Sequence, residues 1–176
     1  MPRKLPKAPT CQHCPDSEAV LVPGSRIYPR RGDLAALWFW YCADCGAVAA
    51  CHKGTKKAVG RPANSELRTA REKLQRQRLD PVWTRALEAV DYQIDHRDIV
   101  ARKMALNAAR KRTYAWVAEQ VGLPEGEAHL AMFDLEQCRL AWRALGGVDY
   151  ATIRDWHKSK EAAKALDKTN EEAARL

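Results

Sequence analysis

Four cysteines of this chain form two Cys-x-x-Cys pairs, Cys11 with Cys14 and Cys42 with Cys45. Two residues between cysteines allow one tight turn to direct both thiolates at a single tetrahedral ion, at about 2.3 Å. Gly46 follows the second pair and suits the cramped turn after its second sulfur. We therefore predict a zinc site with Cys11, Cys14, Cys42 and Cys45 as ligands.

Two alternatives for these cysteines are a redox motif and a disulfide. A redox Cys-x-x-Cys normally stands alone at the start of a helix that follows a strand, and neither pair has that setting. Six cysteines in a chain without an apolar secretory segment are more typical of metal ligands and buried thiols. The 27 residues between the pairs exceed the roughly 15–20 of the commonest four-cysteine spacing, so the intervening hairpin must be long.

Length and composition indicate a packed protein. The chain has 176 residues, of which 46% are hydrophobic and six are tryptophan, and it is short for two independent domains. No apolar run approaches the roughly 18 residues of a membrane helix. We expect a protein of the cytoplasm.

The net charge of +8 is unevenly distributed. Residues 1–112 contain 22 Lys/Arg against 11 Asp/Glu, a net of +11, whereas residues 113–176 carry a net of −3. The basic part of the chain contains the cysteine pairs. Such asymmetry favours attraction to a polyanion, by default nucleic acid, although excess charge can also serve solubility alone.

Residues 1–10 have the composition of a basic extended arm. Two β-prone runs follow, at 19–22 and 26–28, and the turn signal Pro23-Gly24 between them predicts a hairpin. Residues 37–41, Leu-Trp-Phe-Trp-Tyr, predict an aromatic strand that enters the second cysteine pair. Its alternating side chains either pack on helices and shield the metal, or expose some rings for stacking on bases.

A basic loop with two glycines follows and leads into a helix that Asn64 or Ser65 can cap. Free backbone N–H groups and the helix dipole make such an N-terminus a physically sensible phosphate site, although a solvated basic face is the alternative. The predicted phosphate contacts are Lys53, Lys56, Lys57, Arg61, Arg68 and Arg71.

The rest of the chain is predicted to be helical. We expect a first helix at 65–79 and a second that begins with Asp80 as cap and Pro81 in the first turn and ends at a polar break near Tyr92–Asp95. Further helices are expected at 96–121, where Gly122 ends the helix, at 127–145 and at 150–168. A small residue and a glycine at Ala118 and Gly122 resemble the turn of a helix-turn-helix unit. The following segment is acidic, so a packing role is favoured over DNA recognition.

The predicted fold class is therefore α+β, with an N-terminal zinc-ribbon-like β module followed by a mainly α-helical bundle. The predicted division is a basic arm at 1–10, a zinc-ribbon-like module with the basic loop at 11–62, and a helical region at 63–176.

No catalytic motif is found. Phosphate loops, dinucleotide fingerprints, His-Glu-x-x-His and nucleophile elbows are all missing from the sequence. Cys51 and His52 are the strongest candidates, but adjacent residues on an extended chain point to opposite faces. His129 and Cys138 are interpreted as a capping or core histidine and a buried thiol. We expect no enzyme activity.

Several blocks of the sequence resemble a family of small phage and prophage proteins known as a zinc-finger-containing domain. The resemblance covers most of residues 10–145 and is carried by Cys42-x-x-Cys45-Gly46-Ala47, Cys51-His52-x-Gly54-Thr55, Ala63-Asn64-x-Glu66-Leu67-Arg68, Asp80-Pro81-x-Trp83, Tyr114-x-Trp116 and His129-x-x-Met132-Phe133-Asp134. The sequence departs from the family pattern at Ala128, where a cysteine is usual, and has a longer spacer at about 84–112. The resemblance implies a phage protein in a bacterial cytoplasm, with zinc on the four cysteines, and implies no activity.

Two functions are consistent with these features. The first is a zinc-stabilised protein that binds the backbone of DNA or RNA. The alternative is a phage accessory protein that binds and inhibits a host or defence protein.

Overall fold

A computed structural model of the chain describes residues 5–88, 95, 97–124 and 126–173. These residues form an α+β protein in which a small antiparallel sheet precedes a mainly helical region, which confirms the predicted fold class. The chain divides into two compact units. Unit 1 is the described part of Met1–Glu72 with Leu130–Leu135, and unit 2 is the described part of Lys73–His129 and Glu136–Leu176. The boundary predicted after residue 62 lies inside unit 1.

The sheet of unit 1 has three short antiparallel strands in the order of the chain. The strands are β1 (Val20–Pro23), β2 (Trp38–Tyr41) and β3 (Val48–Ala50). Val20 pairs with Tyr41, and Tyr41 pairs with Val48. The start of β1, the end of β2 and the start of β3 therefore meet at one end of the sheet, where the cysteine pairs lie next in the chain.

The hairpin predicted between residues 19 and 28 is wrong. β1 forms as expected, but the chain then makes one helical turn, α1 (Gly24–Ile27), and β1 pairs with β2. The Gly24 N–H donates to the Leu37 carbonyl at 2.7 Å, and a Cβ at Gly24 would lie 1.9 Å from the Leu34 oxygen. The pairing continues past Pro23, because the Ser25 N–H also donates to the Ala35 carbonyl at 3.3 Å. The chain therefore does not fold back at Pro23-Gly24, and β2 takes the position of the expected second strand.

Consecutive residues of β2 pack into different clusters. Trp40 is buried with Ala19 and Ala49, and Phe39 is buried with Val22 and Val48. Trp38, at the start of the strand, remains 38% exposed. The aromatic strand thus supplies buried rings to two clusters and one ring to the surface.

Six α-helices and several shorter helical segments follow one another in the described part of the chain. After α1 come α2 (Ser65–Leu74), α3 (Asp80–Arg85), α4 (Ile99–Val121), α5 (Leu135–Ala144) and α6 (Tyr150–Ala173), with 3₁₀ turns at Gly32–Leu34, Ala86–Glu88 and Leu130–Met132. Asn64 caps α2, because its side-chain oxygen accepts from the Leu67 N–H at 2.9 Å. Gly122 ends α4 with φ +69°. Both helix signals are confirmed.

The predicted break at Asp80-Pro81 is wrong, because the helix continues through it. A π-helical segment, Gln75–Leu79, joins α2 to α3, and Asp80 has helical backbone angles instead of those of a cap. Pro81 lacks the N–H that would bond the carbonyl one turn earlier. A wider turn accommodates that missing hydrogen bond without ending the helix.

Two later helix starts also differ from prediction. The N-cap of α4 is Asp98, whose carboxylate accepts from the Ala101 N–H at 2.8 Å, so α4 begins three residues after the predicted start. The helix predicted from residue 127 begins only at Leu135, after a glycine at φ +90° and a 3₁₀ turn. The break predicted at residues 92–95 lies outside the described residues except for Asp95.

Unit 2 is held by contacts among its helices. α3 packs against α4 and α6, and α4 packs along α6. Its buried side chains include Trp83, Val117, Tyr150 and Ile153. Within the described ranges, no helix combines the length and apolar character needed to cross a bilayer.

Candidate metal centre and basic loop

The sheet register brings the two cysteine pairs together. The first pair lies before β1, and the second forms the turn between β2 and β3. Since the start of β1 lies beside the end of β2, both turns project from the same end of the sheet. Antiparallel pairing of the strands thus explains why Cys11 and Cys45, which are 34 residues apart in sequence, lie next to each other.

The second pair is shaped by backbone hydrogen bonds. The Cys42 N–H donates to the Ala47 carbonyl at 2.9 Å, and the Gly46 N–H donates to the Cys42 carbonyl at 2.9 Å. Gly46 has φ +72°, a conformation that disfavours any residue with a Cβ. The predicted role of Gly46 is confirmed.

The four sulfurs of Cys11, Cys14, Cys42 and Cys45 all lie within 4.8 Å of one another. The Cys11 and Cys45 sulfurs are 3.5 Å apart, much farther than the roughly 2.05 Å of a disulfide. A tetrahedral ion at about 2.3 Å from each sulfur requires sulfur–sulfur distances of about 3.8 Å. The cluster therefore fits a tetrathiolate metal site. In the described part of the chain, it is the only group of three or more Cys, His, Asp or Glu side chains close enough to share a metal ion.

The local environment divides the thiols by acidity. Burial raises the pKa of Cys11, Cys14 and Cys45 above the usual thiol value. Burial is also the largest single influence on Cys42, yet hydrogen bonds from the backbone N–H groups of Cys45 and Asp44 and from the thiols of Cys45 and Cys11 together outweigh it and lower the pKa of that thiol. Cys42, which is fully buried, is thus the thiol most readily present as a thiolate.

Side chains next to the cysteines connect the two turns. The Ser17 hydroxyl donates to the Asp44 carboxylate, which links the residues after the first pair to those within the second. The Ser17 N–H also donates to the Cys14 carbonyl at 3.0 Å. These two bonds therefore connect the turns directly, beside the four sulfurs.

The basic loop is an ordered turn beyond β3. Cys51 and Ala58 form a bridge at its base, and the His52 N–H donates to the Lys57 carbonyl at 2.9 Å. The buried Trp40 donates its indole N–H to the Lys56 carbonyl at 2.9 Å. Lys53, Lys56 and Lys57 are all exposed on this turn. The structure thus places three of the six predicted phosphate contacts together.

The three predicted arginines have separate settings. Arg61 is exposed beyond the loop. Arg68, exposed on α2, donates to the Tyr28 hydroxyl at 3.0 Å. Arg71 is half-buried, and its guanidinium donates to the Phe133 carbonyl at 2.7 and 2.9 Å and to the Arg61 carbonyl at 3.2 Å. Arg71 therefore has a structural role instead of the predicted exposed phosphate contact.

Arg71 is part of a connection that the sequence did not indicate. It ties the segment 130–135 to the rest of unit 1 together with Gln12, whose amide donates to the Met132 carbonyl at 3.3 Å. The Arg61 N–H donates to the Ala131 carbonyl at 3.1 Å, and a Cβ at Gly60 would lie 2.3 Å from that same oxygen. These contacts join residues far apart in sequence, so no local spacing signals them.

Among the described residues, the remaining cysteines and histidines lie outside the cluster. Cys138 is buried, as predicted. His129 is exposed and stacks on the Tyr114 ring at 5.5 Å, so its interpretation as a core residue is wrong. Cys51 is half-buried and His52 is exposed.

Comparison with known proteins identifies a family. A model of a zinc-finger-containing domain matches residues 7–148. No curated protein and no solved structure was found to match the chain. The family match spans both cysteine pairs, the basic loop and α2 to α5. Because it covers well over half of the sequence and includes all four clustered cysteines, the chain belongs to the zinc-finger-containing domain family.

Proposed function

We propose that this protein is a zinc-stabilised, phage-encoded nucleic-acid-binding protein of the bacterial cytoplasm, and that it works by binding and not by catalysis. The observation that carries the proposal is the ordered basic loop, which exposes three lysines. The loop follows the last strand of the sheet, and the cysteine cluster lies at one end of that sheet. The zinc ion gives the sheet its stability, and the lysines contact phosphates.

Zinc is favoured as the ion by the donor set. Four thiolates in a tetrahedral arrangement are typical of structural zinc, and no open ligand position is left for a reactant. The family's description as zinc-finger-containing supports the same metal. Bound there, zinc supplies folding energy. Metal analysis of the purified protein should find one zinc per chain, and the Cys42→Ser variant should lack it.

Nucleic acid is favoured by the charge of the loop. Lys53, Lys56 and Lys57 are exposed within five residues that contain no acidic side chain, and Arg61 and Arg68 add two more exposed cations in unit 1. Hydrogen bonds fix the loop backbone, so less conformational entropy is lost when its lysines engage a phosphate backbone.

A binding role is also supported by the state of Cys51. Burial raises the pKa of its thiol, which keeps it protonated and weakly nucleophilic near neutral pH. The adjacent His52 is exposed on the basic loop. The phage context rests on the resemblance of the sequence blocks described above.

The salt dependence of binding tests this function. Five phosphate contacts should reduce affinity between 50 and 200 mM salt by about 500-fold on a duplex, or by about 100-fold on a single strand. Replacing Lys53, Lys56 and Lys57 with glutamine leaves two contacts, and the reduction should fall to about 10-fold. Fluorescence anisotropy with labelled oligonucleotides measures both slopes.

The matched control removes three exposed lysines of α6, Lys158, Lys164 and Lys168, and should leave the slope unchanged. An equal effect of both triple variants would mean that net charge, and not the loop, drives binding. Failure to bind duplex, single strand or RNA at low salt would remove the proposal. A single host protein retained from nuclease-treated lysate would then favour the alternative, an inhibitor of a host or defence protein.

A further inference from the structure

Beside the basic loop, unit 1 contains an open groove of about 700 Å³. Its lining includes Leu37, Trp38, Cys51, His52, Lys53 and Lys56. A groove of this size lies in the range that holds a nucleotide-sized ligand. None of the residues that line it carries a carboxylate.

Trp38 is the aromatic ring of this groove. Its side chain is 38% exposed, although the next two aromatic residues of β2 are buried. Its backbone is fixed on both sides, because Trp38 pairs with Pro23 and its carbonyl accepts from the Cys51 N–H at 3.2 Å. The sheet thus fixes the position of the indole at the surface.

Lys56 places a positive charge against the Trp38 ring. Its ammonium lies 4.7 Å from the centre of the Trp38 ring, a cation–π distance. The Lys56 backbone is held by the Trp40 indole, while its side chain is exposed. The ammonium can therefore turn from the ring to a phosphate without any movement of the loop.

An aromatic ring beside ordered lysines is the arrangement that binds unpaired nucleotides. Every base offers a flat face for stacking, but in a duplex those faces are covered by neighbouring base pairs. A duplex would use only the lysines, whereas a single strand would use the lysines and the indole.

We propose that this groove binds single-stranded nucleic acid, with one unpaired base stacked on Trp38 and the adjoining phosphates held by Lys53 and Lys56. The proposal rests on the nucleic-acid-binding function above and specifies the form of nucleic acid that the site selects. Trp38 thereby discriminates between strand and duplex, and the lysines supply affinity to both.

The test compares one labelled strand of about 12 nucleotides, long enough for a typical single-strand site, with the same strand annealed to its complement. Affinity is measured by fluorescence anisotropy at fixed salt. The single strand should bind at least about 10-fold more tightly than the duplex, within the range that stacking of one base supplies. Trp38→Leu should weaken single-strand binding by roughly 5- to 150-fold and leave duplex binding unchanged, while Trp38→Phe should retain most of the affinity.

Trp156→Leu is the matched control, since it removes a half-buried tryptophan of unit 2 that is not part of the groove. Zinc content and circular dichroism establish that each variant is folded. Equal affinity for strand and duplex, or no effect of Trp38→Leu, would overturn the single-strand proposal and leave nucleic-acid binding intact. Displacement of the strand by polyglutamate at equal concentration would assign the groove to an acidic peptide instead. Absence of binding to either oligonucleotide would instead count against the proposed function itself.

Discussion

Unit 1 and unit 2 are stabilised in different ways. The sheet of unit 1 has strands of only three or four residues, and its cysteine cluster caps one end of it. Unit 2 contains α4 with 23 residues and α6 with 24, packed along each other. A sheet this small is marginal in water, whereas the helices of unit 2 bury large side chains such as Trp83, Tyr150 and Ile153. The comparison indicates that the metal compensates for a small core in unit 1 and that unit 2 needs no such support.

The largest expected effect comes from loss of the ion. Cys42→Ser, or removal of zinc with a chelator, should abolish hydrogen-exchange protection of β1 to β3 and leave that of α4 and α6 in place. The reason is that metal binding energy, about 10–16 kcal/mol in zinc-finger peptides, is folding energy for such a site. Cys51→Ser, outside the cluster, should keep both metal and protection. Unchanged thermal stability of a metal-free Cys42→Ser protein would contradict the role assigned to zinc.

A smaller effect is expected from the core of unit 2. Ile153 is fully buried, and Ile153→Ala should lower the free energy of unfolding by about 2–5 kcal/mol through lost burial and the resulting cavity. Denaturant unfolding measures this loss, and metal analysis should still find one zinc per chain. Leu166→Ala, at a position 63% exposed on α6, should change stability by no more than about 0.5 kcal/mol. Loss of zinc from the Ile153 variant would show that the two units do not differ in the way described.

The smallest effect is expected from the connection within unit 1. Arg71→Gln removes the guanidinium that bonds the Phe133 and Arg61 carbonyls, and should cost about 1.5–3 kcal/mol, as for hydrogen bonds to charged groups. The Arg61 amide, which donates to the Ala131 carbonyl, should then exchange faster with solvent. Arg61→Gln at an exposed side chain is the control and should have little effect on stability. Equal stability of the two variants would refute a structural role for Arg71.

Features set by neighbouring residues were predicted from the sequence. The spacing of Cys11, Cys14, Cys42 and Cys45 and the glycine after them specify turns of a few residues, and the structure brings all four sulfurs together. Asn64 and Gly122 likewise act on the helix ends beside them. The turns and helix ends are controlled by contacts that span only a few residues, so the local pattern contains them. The meeting of the two cysteine pairs, which are separated by 27 residues, was inferred from the chemistry of a shared four-thiolate ion.

Features set by distant residues were not predicted. The run at 26–28 has β propensity, but pairing with β2 and the approach of the loop at Leu34 decide its conformation. Arg71 resembled its exposed basic neighbours, although its partner Phe133 lies 62 residues away. Trp38 and Trp40 have the same residue type and spacing, and only the fold shows which ring is buried.

The return of residues 130–135 to unit 1 has a consequence for synthesis of the protein on the ribosome. The cysteines are complete once residue 45 has emerged, but the carbonyl that Arg71 bonds is made 62 residues after the arginine itself. Phe133 follows Cys45 by 88 residues, so at about 5–20 residues per second the nascent chain spends roughly 4 to 18 seconds with all four cysteines present and the Arg71–Phe133 hydrogen bonds not yet formed. A fragment that ends near residue 72 would remain permanently in that unfinished state, so a truncated zinc module should be less stable than the same residues within the full chain.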